Sequence, residues 1–84
     1  MAALENRYDI ITRINQYYGK MSKGQKTIAN FIYDHYDQAV FMTAAKLGDT
    51  VGVSESTVVR FASYVGYSGY PEFQKDLEEW VQNK

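Results

Sequence analysis

The stretch Leu47-Gly48-Asp49-Thr50-Val51-Gly52-Val53-Ser54-Glu55-Ser56-Thr57-Val58-Val59-Arg60-Phe61 decides how this chain folds. Gly48 is small enough for two helices to approach closely, Gly52 turns the chain four residues later, and Val51, Val53, Val58 and Phe61 hold the crossing angle from inside. That is the grammar of a helix-turn-helix. Ser54 is the N-cap of the second helix, where its hydroxyl accepts from a backbone N–H that has no partner within the helix. With Val58 and Phe61 turned inward, helical periodicity turns Glu55, Ser56, Val59, Arg60 and Ser63 outward. This outward face is short-chained and carries one strong cation. A DNA major groove about 12 Å wide admits one helix, and a guanidinium matches guanine O6 and N7 bidentately. Arg60 is therefore a candidate base reader, with Ser54, Ser56, Thr57 and Ser63 as candidate donors to bases or phosphates. The competing reading of Arg60 is a surface ion pair. Capping alone explains Ser54, and the helix dipole explains an acid at Glu55.

Outward from this core, Thr43 caps a short helix expected to run to about Thr50, and Gly66 closes the second one, so the helix-turn-helix unit covers about residues 43–66 with its outer helix at 54–65. The segment Gly66-Tyr67-Ser68-Gly69-Tyr70 reads as a turn. Pro71 pre-sets the backbone of a fifth helix, Glu72 complements its dipole, and Phe73, Leu77, Trp80 and Val81 form its apolar stripe. Toward the N-terminus, Ser22-Lys23-Gly24-Gln25 has capping-box spacing and opens a helix with Ile28, Phe31 and Ile32 inside, expected to end near Tyr36. A first helix over about residues 4–18 places Leu4, Tyr8 and Ile11 on one stripe and Ile10, Ile14 and Tyr17 on a neighbouring one. Two stripes exceed the needs of a single contact, which makes Ile10, Ile14 and Tyr17 candidate dimer contacts. No strand pair is evident. The expected fold is all-α: a compact five-helix bundle, homeodomain-like, forming one domain over residues 1–84.

Composition sets the outer bounds. Of 84 residues, 45% are hydrophobic and 15% aromatic, too many for intrinsic disorder. With no cysteine, neither a disulfide framework nor a Cys-ligated zinc is available, so the apolar core must hold the fold. Apolar runs such as Ala39-Val40-Phe41-Met42 stop at four residues, whereas a membrane span needs roughly 20. The expectation is a soluble cytoplasmic protein without membrane contact. A net charge of -1 does not announce a nucleic-acid binder, so any such role rests on where charges sit. Lys20, Lys23 and Lys26 form a cluster without acids, and Lys23 and Lys26 are candidate phosphate anchors. Glu72, Asp76, Glu78 and Glu79 gather at the other end; the plainer reading of either patch is a solvated face. His35 stands alone, and no nucleophile with a base, glycine-rich phosphate loop or metal motif is present, so neither catalysis nor a metal or other cofactor is expected. Tyr33, Tyr36, Tyr64, Tyr67 and Tyr70 are of a type that stacks on bases, but near helix ends such rings more often pack.

Three pieces of the chain, in order, resemble the N-terminal helix-turn-helix domain of the RpiR family, bacterial transcriptional regulators that respond to phosphosugars. They are Met21-Ser22-Lys23-Gly24-Gln25-Lys26-Thr27-Ile28-Ala29-Asn30-Phe31-Ile32, then Val53 through Phe61, then Gly66-Tyr67-Ser68-Gly69-Tyr70 with Glu72-Phe73. The resemblance covers about residues 4–82. It implies double-stranded DNA as partner, a homodimer, and a role in regulating sugar or phosphosugar metabolism. Complete members carry, after a linker, a sugar isomerase (SIS) domain that binds the phosphosugar effector; that half is absent here, and any effector is expected to act only through it. On the same resemblance Ser54, Ser56, Thr57 and Arg60 fall on DNA-reading positions, and Thr43 and Lys46 are candidates for phosphate contact. The chain departs from the family pattern at Ala62-Ser63-Tyr64 and Ser68, where basic residues are common, and at Gly48, where alanine is usual. Fewer cations imply weak binding with a shallow salt dependence. The alternative function is a helical protein-interaction or dimerisation module without direct DNA readout.

Overall fold

A computed structural model describes residues 9–83, and within them the chain forms five helices. They are α1 (Ile10–Tyr18), α2 (Lys23–Ala39), α3 (Ala44–Val51), α4 (Glu55–Tyr64) and α5 (Tyr70–Asn83). Leu4 and Tyr8 of the expected first stripe lie outside the described residues. No helix among the described residues is long and apolar enough to cross a membrane.

Each of the first four helices begins where a short polar side chain can satisfy an orphan backbone N–H. Asp9 accepts from Thr12 N at 2.8 Å, and Thr43 accepts from Lys46 N at 3.1 Å. Ser22 and Gln25 close a reciprocal capping box, with Ser22 N donating to Gln25 Oε1 at 2.9 Å and Gln25 N to Ser22 Oγ at 3.3 Å. Gly52 ends α3 in the left-handed region at φ +87°, and Gly66 does the same after α4 at φ +100°.

Most helix bounds fall within a residue or two of expectation. Two depart from it. The first, α1, begins at Ile10, where Asp9 in extended backbone (φ -65°, ψ 167°) caps it, and not near residue 4. The second, α2, runs past Tyr36 to Ala39 across a kink at His35 (φ -139°, ψ 40°). The reason is tertiary: Gln74 of α5 donates to the carbonyls of Val40 and Met42, both at 2.9 Å, and the Tyr70 hydroxyl donates to Met42 at 2.8 Å. These bonds satisfy the carbonyls just beyond α2 and tie its end to α5.

The core is shared by all five helices. Ile10, Ile14, Ile28, Ile32, Leu47, Val58, Phe61, Val65, Phe73 and Leu77 are its largest fully enclosed side chains. Phe73 anchors it, lying edge-to-face with Phe61 and Tyr67 at centroid separations of 5.7 and 5.6 Å. Here one expectation fails. Ile10 and Ile14 are 1% and 0% exposed, so they are core residues and not dimer contacts. The Ile10–Ile14 stripe faces inward because α1 packs across both α2 and α5. Of the three candidates only Tyr17 stays exposed, its ring edge against Tyr64 at 5.5 Å.

Candidate nucleic-acid interface

The pairing of α3 with α4 is the most extensive in the molecule and fixes how α4 is presented. At its closest point Gly48 meets the turn: a Cβ there would lie 2.7 Å from the Val53 carbonyl oxygen and 3.3 Å from the Ser54 carbonyl. The Gly48 carbonyl also accepts from both Gly52 N (2.8 Å) and Val53 N (2.9 Å), which locks the turn to the end of α3. α4 is thus held on one side by Val58, Phe61 and Ala62, all 0% exposed.

Its opposite face is free. Ser54, Glu55, Ser56, Val59, Arg60 and Ser63 are exposed, and Thr57 is partly covered, as helical spacing predicts. Arg60 forms no ion pair or hydrogen bond among the described residues, so the guanidinium keeps its donors for a ligand. The Ser56 and Ser63 hydroxyls are likewise unengaged among the described residues. Ser54 and Thr57 are different. Ser54 Oγ accepts from Thr57 N at 3.1 Å and shares a hydrogen bond with Thr57 Oγ1 at 2.9 Å, so both serve the start of α4 first. Thr43 is committed in the same way to Lys46 N, while the Lys46 side chain extends into solvent.

A second helix start lies beside the start of α4. A Cβ on Gly24, in the first turn of α2, would sit 3.5 Å from Thr57 Cγ2 and 3.5 Å from Val53 Cγ1. Spacing gave no sign of this contact, since nothing local to Gly24 names its partners. The contact brings the first turn of α2, which begins with Lys23, beside the start of α4; the Lys23 side chain is exposed and its ammonium has no partner among the described residues. Lys26 is half-buried, with its ammonium 5.4 Å from the centre of the Tyr18 ring.

The tyrosines divide as packing predicts. Tyr67 and Tyr70 are buried, and Tyr36 meets Trp80 edge-on at 5.0 Å. Burial, then a hydrogen bond to Asp76 and that carboxylate's charge, holds the Tyr67 phenol far above its ordinary pKa, and burial pushes Tyr70 up to about 12. The acidic end is organised around these rings. Arg13 stacks over Tyr67 with its guanidinium carbon 4.6 Å from the centroid, and Glu72 accepts from Ser68 N at 2.6 Å. That N–H holds the Glu72 carboxyl below the usual range, with Arg13 adding in the same sense. Among the described residues no group of His, Asp or Glu is placed to hold a metal ion.

The comparison with known proteins agrees with this arrangement. Residues 8–84 match the helix-turn-helix domain of the rpiR family. Among curated proteins, the chain is 33% identical over 69 residues to the uncharacterized HTH-type transcriptional regulator YfhH of Escherichia coli, covering 82% of this chain and 24% of that protein. It is 31% identical over 71 residues to the HTH-type transcriptional regulator HexR of Pseudomonas aeruginosa (84% of this chain, 25% of that protein). With the HTH-type transcriptional regulator GlvR of Bacillus subtilis it shares 33% over 65 residues (77% and 26%). The chain therefore spans about a quarter of the length of these relatives. No solved structure gives a significant match. A turn closed on Gly48, an outer helix with an exposed polar face and a family match over nearly the whole length agree: the chain belongs to the helix-turn-helix proteins of the rpiR family.

Proposed function

We propose that this chain is the sequence-specific DNA-binding domain of a bacterial transcriptional regulator of sugar or phosphosugar metabolism, with α4 entering the major groove. The observation that carries the reading is the outer face of α4, where Arg60 stands unpaired among the described residues beside exposed Ser56 while the opposite face is sealed in the core. Arg60 reads guanine; Ser56 and Ser63 donate to bases or phosphates; Thr43, Lys46, Ser54 and Thr57 lie at helix starts that approach the backbone. Two copies bind paired half-sites about 34 Å apart, through a surface that excludes the buried Ile10 and Ile14. In this reading phosphosugar control, which the family resemblance implies, acts outside the DNA-reading surface; the relatives extend well beyond the quarter of their length that this chain matches. A ligand with no differential affinity for two states of this domain shifts neither.

The test is selection of bound sequences from a random duplex pool, followed by salt-titrated gel shifts on the selected site and on random DNA. Arg60→Ala should lose about 1 to 3 kcal/mol on the selected site and less on random DNA, with thermal stability unchanged. Equal losses on both DNAs would make Arg60 a phosphate contact. Failure of any sequence to enrich would favour a protein-interaction module instead.

A further inference from the structure

Val59 is the one apolar side chain on an otherwise polar reading face, and nothing in the hydrogen-bonding account of that face uses it. It is 40% exposed although α4 has a buried side available for apolar residues, and it stands one helical turn from Ser56 and from Ser63. Around it Glu55, Ser56, Val59 and Arg60 line a shallow depression of about 360 Å³. Its lining is mostly hydrocarbon, and the residues that form it also bring a hydroxyl, a carboxylate and a guanidinium.

We infer that Val59 is a specificity-determining residue that receives the C5 methyl group of a thymine next to the base pair contacted by Arg60. This rests on the DNA-reading function proposed above. Among the four bases of a B-DNA major groove, only thymine presents an apolar group; the others offer donors and acceptors that a valine cannot answer and would desolvate. An uncharged β-branched side chain is also stiff at χ1, so it offers a fixed methyl surface without losing much rotamer freedom on binding. The neighbouring donors fix orientation and the valine adds discrimination. An exposed Arg60 alone gives a guanine; Arg60 with Val59 gives a guanine with a thymine on the adjoining step.

The experiment uses the selected duplex and replaces each thymine singly by deoxyuridine, which removes the C5 methyl and leaves every hydrogen-bonding group in place. For the unaltered chain, uracil at one position beside the guanine read by Arg60 should weaken binding about fourfold, the equivalent of ~0.8 kcal/mol for one buried methyl group. Val59→Ala, at an exposed site, should keep the wild-type melting temperature and bind the thymine and uracil duplexes equally. Val59→Ser should do the same, while Arg60→Ala should still distinguish thymine from uracil. Absence of a uracil effect at every position, or the same effect in the wild type and in Val59→Ala, would overturn the assignment to Val59 and leave DNA reading by Arg60 standing. Enrichment of no sequence at all would overturn both.

Discussion

Gly48 and Gly24 are both helical glycines against the same turn, but an added methyl group would meet different neighbours. At Gly48 the contact is 2.7 Å to backbone oxygen, which no side-chain rotation relieves; at Gly24 it is 3.5 Å to two methyl groups, ordinary packing. Alanine gains about 1 kcal/mol of helix propensity over glycine at an interior position, whereas forcing atoms into a filled space costs about 1 to 3 kcal/mol. Strain should win at Gly48 and propensity at Gly24. Gly48→Ala should lower the melting temperature by about 4 to 8 °C for a net loss near 1 kcal/mol, and Gly24→Ala, in a first turn where propensity counts less, should raise it slightly. Circular dichroism melts of the two variants decide this. A Gly48→Ala protein as stable as wild type would mean that α3 and the turn separate freely, and the close approach would then not fix the angle of α4.

At the scale of helices, what was legible in the sequence is what is local. The caps at Ser22, Thr43 and Ser54 and the left-handed glycines at 52 and 66 depend on neighbours within four residues, so spacing alone located them. The outward face of α4 followed from periodicity in the same way. The run of α2 beyond Tyr36 did not, because the bonds that fix its end come from Gln74, 34 and 32 positions from the carbonyls it serves. Nor did the meeting of the α2 start with the α4 start, which brings the turn that begins with Lys23 beside the start of the reading helix. This meeting has a measurable consequence. Each phosphate neutralised adds about 0.9 to the slope of log affinity against log salt, so Lys23→Gln should reduce that slope by about 1 on any duplex, selected or random. Lys26 lies over Tyr18, and adding Lys26→Gln should bring the total reduction to at most about 2. A slope unchanged by both substitutions would place the α2 start away from the DNA backbone.

For the whole molecule, the question the sequence left open was which of the two apolar stripes of the first helix faces the common core. α1 has apolar residues on two stripes, and periodicity alone does not choose between them; packing against α2 and α5 takes Ile10 and Ile14 inward. The same packing brings Arg13 of α1 over Tyr67, whose hydroxyl donates to Asp76 of α5, so one stack joins the first helix to the last. Tyr70, the first residue of α5, ties that helix to the segment after α2 through the Met42 carbonyl. Both phenols resist ionisation in the folded state, Tyr70 up to about 12 and Tyr67 beyond it, whereas an unfolded tyrosine ionises near 10. Above pH 10 the unfolded chain therefore binds fewer protons than the folded one, and stability falls as pH rises toward 12. Tyr70→Phe removes one of the two phenols together with its hydrogen bond to Met42. It should be less stable than wild type at pH 7 by about 1 kcal/mol, yet lose stability less steeply between pH 10 and 12. Urea unfolding by circular dichroism across that range, with tyrosine ionisation followed by ultraviolet absorbance, measures both effects. Parallel declines for wild type and Tyr70→Phe would show that Tyr70 ionises in the folded protein as it does in water, and that its burial does not couple the end of α2 to α5.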